Sequence, residues 1–235
     1  MNPAAKQEKP AFDLVLSSGF LAFARQAGFL QAVEEVGLVV DGVVGTSSGA
    51  LAGSLWCSGL DAEQVAVELS RESPLASCGF HARVWRGFFT MDRVIGRLRQ
   101  LLPATFEELP RPFGVGVMTR DGGHRLITSG PLPEAVAASM AIPRLFAPVV
   151  LDGVPCSDGA FVDRTAHEAW EAWRGDVRTV VHLVESSGKT QSVGTLGDRP
   201  VVRTHRSGAR LWDLGDFDGQ REEARAAATT VLSAL

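Results

Sequence analysis

Residues 38–59 read LVVDGVVGTSSGALAGSLWCSG: an apolar run, the turn Gly45-Thr46-Ser47-Ser48-Gly49, and a second apolar run punctuated by small residues. The first run predicts a strand buried on both faces, and the second a helix that stops near Gly59. The turn satisfies G-x-S-x-G, the pattern of a nucleophile elbow. A serine in such a strained turn points its hydroxyl away from the sheet. Small residues two before and two after it let strand and helix approach without collision. The same five residues also suit a glycine-rich turn or a phosphate-cradling loop at a helix N-terminus. A P-loop, however, carries lysine after its second glycine, where this chain has Ala50. The handover from buried strand to helix favours Ser47 as a nucleophile.

Upstream, FDLVLSSG (residues 12–19) reads as another buried strand, and FLAFARQAGFLQAVEEVG (residues 20–37) as a helix closed by Gly37. Strand, helix, strand, helix implies right-handed crossovers and a parallel sheet between helical layers, with ligands at the carboxyl ends of the strands. Both Gly-Ser loops fall at those ends. Downstream, helices are predicted in DAEQVAVELSRE, MDRVIGRLRQLL and PLPEAVAASMAI, and strands in PFGVGVMT and HRLITSG. RLFAPVVLDGVPCSDGAFVD gives strand, turn and loop. A helix through TAHEAWEAWRG, a strand VRTVVHLVE, a polar loop over residues 186–199 and a last helix GQREEARAAATTVLSAL complete the chain.

The 235 residues suffice for one sizeable core, and 45% hydrophobic with 21% charged residues is ordinary globular composition. A net charge of -4 excludes a large nucleic-acid footprint, which needs clustered Lys and Arg. Cys57, Cys78 and Cys156 lack paired spacing, so neither a disulfide framework nor a zinc site is indicated, and a reducing compartment is expected. The start MNPAAKQEKPAF has no apolar stretch behind its basic residues, and no run reaches the ~20 apolar residues a membrane-spanning helix needs. A cytoplasmic protein is expected, and an exposed apolar patch would still allow peripheral contact with a membrane.

A serine nucleophile needs a base. His167 falls inside a helix and His182 inside an apolar strand, both read as structural, while His81, His124 and His205 have no evident place beside the elbow. The α/β-hydrolase order is disfavoured because Ser47 follows only the second strand. Asp158, in CSDGAFVD, is another candidate, but Asp-Gly is a common turn signal and recurs at Asp41, Asp121, Asp152 and Asp218. Arg25, on the first helix, reads as a solvated surface residue. GFHARVWRGFFT (residues 79–90), Trp170 and Trp173 read as core packing ahead of a lipid-facing cap.

Six blocks occur in one order: DLVLSSG, GFLQAVEEVG, DGVVGTSSGALAG, TFEELPRPFGVGVMTRDGG, SGPLPEAVAASMAIPRLFAPV and DGVPCSDGAFVD. In them the chain, from residue 13 to the helix at 173, resembles the patatin-like phospholipase family. The resemblance implies a three-layer α/β/α fold with a mostly parallel central sheet, occupying residues 11–235 as one domain behind a disordered tail at 1–10. It implies a Ser-Asp dyad without histidine, here Ser47 and Asp158, with Gly45, Gly49, Gly159 and Ala160 as the small motif residues. Asp158 would then need burial to raise its basicity.

The chain departs from the family in two places. The family's glycine-rich oxyanion stretch, with its basic residue, is here Ser18-Gly19-Phe20-Leu21-Ala22-Phe23, which keeps only Gly19 and has Ala at the basic position. After the aspartate motif, an Asn-x-Pro turn is replaced by Arg164-Thr165-Ala166. The resemblance implies a hydrolase of lipid or other carboxylic esters, using the amides of Gly19, Phe20 and Ser48 as oxyanion hole and no metal or organic cofactor. The altered oxyanion loop leaves a second reading open, a domain that binds lipid or a partner without useful catalysis.

Overall fold

The computed structural model describes residues 10–71, 79–80, 89–186, 192–210 and 212–235. Strand β1 (Ala11–Leu16) leads into helix α1 (Phe23–Glu35), and strand β2 (Val39–Thr46) into helix α2 (Ser48–Cys57). Helix α3 (Ala62–Ser70), strands β3 (Gly79–Phe80) and β4 (Phe89–Thr90) and helix α4 (Asp92–Leu101) follow. Next come β5 (Phe113–Thr119), β6 (His124–Ile127), α5 (Leu132–Met140), β7 (Val149–Leu151) and β8 (Val154–Asp158). Helix α6 (His167–Arg174), β9 (Thr179–Val184), β10 (Val201–Thr204) and α7 (Phe217–Leu232) complete the order.

The main sheet runs β10-β9-β1-β2-β5-β8-β7, with β6 also pairing to β5. Pairs among β10, β9, β1, β2 and β5 are parallel, and the β5-β6, β5-β8 and β7-β8 pairs are antiparallel. This is the expected mostly parallel sheet. Because side chains alternate across a strand, β1, β2 and β9 each feed two cores. Leu14 and Leu16 of β1, Val43 of β2 and Val180 of β9 join the larger cluster with Phe29 and Leu30 of α1 and Leu55 of α2. Val15, Val44, Val181 and Leu183 point the other way, onto Trp170 of α6. Burying each such Val or Leu contributes roughly 1.5–3 kcal/mol. Strands with two buried faces must read as unbroken apolar runs, and that signal carried the prediction.

Three details differ from the sequence reading. Helix α1 begins at Phe23 rather than Phe20, since Phe20 to Ala22 turn through a left-handed Leu21 (φ 49°) and Ala22 N-H donates to Gly19 O at 3.2 Å. Strand β10 follows Pro200, where the sequence predicts no strand. Arg25 is no surface residue: it is 4% exposed, donates from Nη1 to Gln220 O at 3.1 Å and pairs with Glu223 at 2.7 Å. Both partners lie on α7, which covers that side of α1.

Trp170 is core, as expected, with Nε1-H donating to the buried Asp13 at 2.9 Å. Trp173 is half exposed. Most of the stretch at 79–90, the segment 187–191 of the polar loop and the first nine residues lie outside the described residues. Among the described residues no helix is long and apolar enough to cross a membrane.

Candidate active site

Ser47 occupies the turn between β2 and α2 at φ 54°, ψ -118°, a conformation that few L residues adopt. The glycines around it are there for space. A Cβ on Gly45 would lie 2.5 Å from the Gly49 backbone, and one on Gly49 would lie 2.1 Å from Leu16 O. Either methyl group would push β2, α2 and β1 apart.

Asp158 ends β8, and β8 and β2 lie on opposite sides of β5. Thr46 registers with Gly116, and Asp158 with Val117. The turn residue and the strand-end residue, 111 positions apart, therefore meet over one short piece of β5. Ser47 Oγ donates to Asp158 Oδ2 at 2.9 Å. Asp158 Oδ1 accepts from Ala160 N-H at 2.9 Å. A Cβ on Gly159 would stand 2.5 Å from Gly116 O, so glycine after the aspartate lets β8 close on β5.

The carboxyl is 3% exposed. Burial, opposed by the Ala160 and Ser47 hydrogen bonds, raises its pKa from 3.8 to about 7. An aspartate so placed is a far better proton acceptor than one in water.

A strut that the sequence did not reveal supports the turn. Ser139, buried on α5, accepts from Ser47 N-H at 2.8 Å and donates to Gly116 O at 2.7 Å. One hydroxyl in an alanine-rich helix gives no sequence signal. Ser139→Ala leaves a buried donor and a buried acceptor unpaired, so urea denaturation should find a loss of roughly 2 kcal/mol; a change under ~0.5 kcal/mol would show that the strut carries no load.

Gly19, Phe20 and Ser48 all border the same cleft as Ser47 and Asp158. Gly19 N-H donates to Ser48 Oγ at 3.1 Å. The Ser48 amide sits in the first turn of α2, where no intrahelical acceptor exists. Gly19 could be no other residue, because a Cβ there would stand 2.7 Å from Ala22 Cβ and 2.9 Å from Val184 Cγ1.

The replacement residue Arg164 is buried against this loop. Its Nη2 donates to Ser18 O at 2.8 Å and to Val184 O at 2.5 Å, and its carbonyl accepts from Ser18 N-H at 2.8 Å.

Among the described residues no histidine bonds to Ser47. His182 is fully buried between Gln26 Oε1 (2.8 Å) and Thr204 Oγ1 (3.0 Å) and stacks on Phe29; burial pushes its pKa down to about 3. His167 contacts Thr165 Oγ1 at 2.9 Å and Thr195 O at 3.2 Å. Both have the structural roles read from the sequence.

The cleft encloses about 820 Å³. One side is apolar, with Leu51 and Leu55 of α2, Leu69 of α3, Leu98 of α4, and Met91 and Phe146. Arg71, Arg97, Arg206 and Arg210 stand on its border, and the half-exposed Phe20 and Phe161 lie at its mouth. A cavity with an apolar wall and one polar, reactive corner is built to hold a molecule with a long apolar part.

A patatin-like phospholipase family model matches residues 14–170. An uncharacterized NTE family protein of Mycobacterium tuberculosis is 29% identical over 158 residues, covering 66% of this chain and 44% of that protein. Neuropathy target esterase of Drosophila melanogaster is 30% identical over 161 residues, covering 64% of this chain and 11% of its own length. The chain thus spans less than half of these relatives. In fold it is similar to VipD from Legionella pneumophila, with a TM-score of 0.61 and 13% identity over 97% of this chain and 67% of that one. The ExoU chain in complex with SpcU from Pseudomonas aeruginosa gives a TM-score of 0.53 and 14% identity over 97% and 53%.

Proposed function

This chain belongs to the patatin-like phospholipase family, and from that premise we propose that it is a serine acyl hydrolase cleaving carboxylic esters of lipids with Ser47 and Asp158. The observation that carries the reading is the 2.9 Å bond from Ser47 Oγ to a buried carboxylate whose pKa is raised to about 7. A serine hydroxyl is a weak nucleophile until its proton has somewhere to go. Asp158 accepts that proton as Ser47 attacks the ester carbonyl. It returns the proton to the leaving alcohol, and an acyl-serine remains. Water, deprotonated by the same carboxylate, then attacks the acyl carbon, and Asp158 returns that proton to Ser47 Oγ as the acyl-serine bond breaks and the acid leaves.

The amides of Gly19, Phe20 and Ser48 steady the tetrahedral oxyanion, helped by the positive end of α2. The apolar wall of the cleft receives the acyl chain. The scheme calls for no metal or organic cofactor. The names of the relatives, an esterase among them, fit an ester substrate.

A second reading, lipid binding without turnover, draws on the altered oxyanion loop and on the Gly19 amide already engaged by Ser48 Oγ. A fluorophosphonate probe separates the two. Prompt labelling of the parent, abolished in Ser47→Ala and rising with pH through about 7 as Asp158 ionises, is the expected result; a parent that stays unlabelled would leave only the binding reading. A series of p-nitrophenyl esters of graded chain length then reads out the acyl preference.

A further inference from the structure

Arg164 is a cation in an unusual place. It is 6% exposed, and burial lowers its pKa with no carboxylate among the described residues to offset the cost. A buried charge without a counter-ion is expensive and calls for a reason. Its hydrogen bonds go to backbone carbonyls of two segments, Ser18 at the end of β1 and Val184 at the end of β9. The Ser18 hydroxyl adds a longer contact to Nε at 3.3 Å. In return Ser18 N-H donates to Arg164 O at 2.8 Å. Arg164 and Ser18 therefore clasp each other in both directions.

The Ser18-Gly19 peptide is trans, so its C=O and N-H point in opposite directions. Arg164 holds the carbonyl at 2.8 Å. The N-H is thereby turned the other way, toward Ser48 Oγ at 3.1 Å and the cleft that Ser47 borders. Were this peptide to flip, a carbonyl oxygen would face the place where negative charge must grow. Phe20 and Leu21 lack the backbone freedom of glycine, so this loop needs a hold from outside itself.

We propose that Arg164 is a positioning residue for the acyl transfer: by gripping the Ser18 carbonyl it aims the Gly19 N-H at the substrate oxygen as that oxygen becomes an anion. The inference rests on the function proposed above. Ser48 Oγ holds the amide in the resting protein, and the ester oxygen takes that place during reaction. The sequence position that departs from the family's turn thus does work that the shortened glycine stretch no longer does alone.

The test uses the full chain with a p-nitrophenyl ester. Arg164→Gln is expected to lower kcat about 10²-fold or more, as loss of an oxyanion donor does, with KM changed less than about threefold because the apolar wall is untouched. Guanidinium added at millimolar concentration should restore part of the lost rate, and Arg164→Lys should retain more of it than Gln. Hydrogen exchange at the Gly19 amide should accelerate in Arg164→Gln. A purely packing role would instead lower the melting temperature and leave kcat of the folded fraction alone. A folded Arg164→Gln with parental kcat and parental Gly19 exchange overturns the proposal.

If Arg164→Gln does not fold, the parent decides. Phosphonylation of Ser47 by the fluorophosphonate expels fluoride and places the polarised phosphoryl oxygen (P=O) in the oxyanion position, and the Gly19 amide resonance should then move downfield; an unmoved resonance overturns the proposal. A parent that neither labels nor turns over counts against the hydrolase reading itself, and is a different failure from an active parent whose Arg164 variants are unimpaired.

Discussion

Asp158→Asn is expected to yield a protein that is more stable than the parent at pH 8 and, on the proposed function, turns over at least about 10⁴-fold more slowly, on the scale seen when a member of a catalytic hydrogen-bonded set is removed. Both effects have one cause. Burial raises the carboxyl pKa from 3.8 to about 7 in the folded state. Between those values the native protein holds a proton that the unfolded chain has released. The stability contributed by that proton is fully present below pH 3.8 and is lost as pH rises through 7. A shift of about three units corresponds to roughly 4 kcal/mol.

Asparagine carries no charge to bury, and it cannot accept from Ser47 Oγ and Ala160 N-H on two oxygens, which returns roughly 1 kcal/mol of the gain. The expected net stabilisation at pH 8 is ~2–3 kcal/mol. Urea unfolding at pH 5 and pH 8 measures it. The parent should weaken between the two, and the variant should not. A variant destabilised at pH 8, or one that keeps its turnover, would remove Asp158 from the role of base.

Substitution of Ser47 separates chemistry from strain. Ser47→Ala and Ser47→Gly should each reduce ester hydrolysis by at least about 10⁴-fold, but they should differ in stability. At φ 54°, ψ -118° an alanine keeps the backbone penalty, of order 1–3 kcal/mol, that a glycine does not incur. Glycine gives part of that back through the larger entropy of its unfolded chain. Ser47→Gly is therefore expected to be ~1 kcal/mol more stable than Ser47→Ala by urea midpoint. Equal midpoints would mean that the turn stores no strain.

What the sequence disclosed depended on how local each signal was. β1, β2 and the turn holding Ser47 were readable because a strand buried on two faces must be apolar without interruption, and a tight crossing must place glycine at 45 and 49. Asp158 was readable only through the resemblance, since an Asp-Gly pair looks the same in an ordinary turn and the partner oxygen lies 111 residues away. The burial of Arg25 is hidden from the sequence for a related reason. A lone basic residue on a helix looks solvated until the chain returns, and Gln220, its hydrogen-bond partner, lies 195 positions on.

Strand β10 is four residues long, too short for its alternating burial to stand out. Periodicity places the start of α1 three residues early because Phe20, Leu21 and Ala22 continue its apolar period, and it does not register a left-handed Leu21. Arg164 was visible as a departure, but the Ser18 and Val184 carbonyls that receive it are a property of the sheet's closure.

The arrangement over β5 also fixes when, during synthesis, the proposed pair of Ser47 and Asp158 can meet. Ser47 leaves the ribosome before the carboxylate that accepts its hydrogen bond. Asp158 emerges more than a hundred residues later, and Val184, the far anchor of Arg164, later still. If Ser47 and Asp158 act as proposed, a nascent polypeptide carrying only the first half of the fold lacks the pair, and the proposed site assembles only as the sheet acquires its last parallel members.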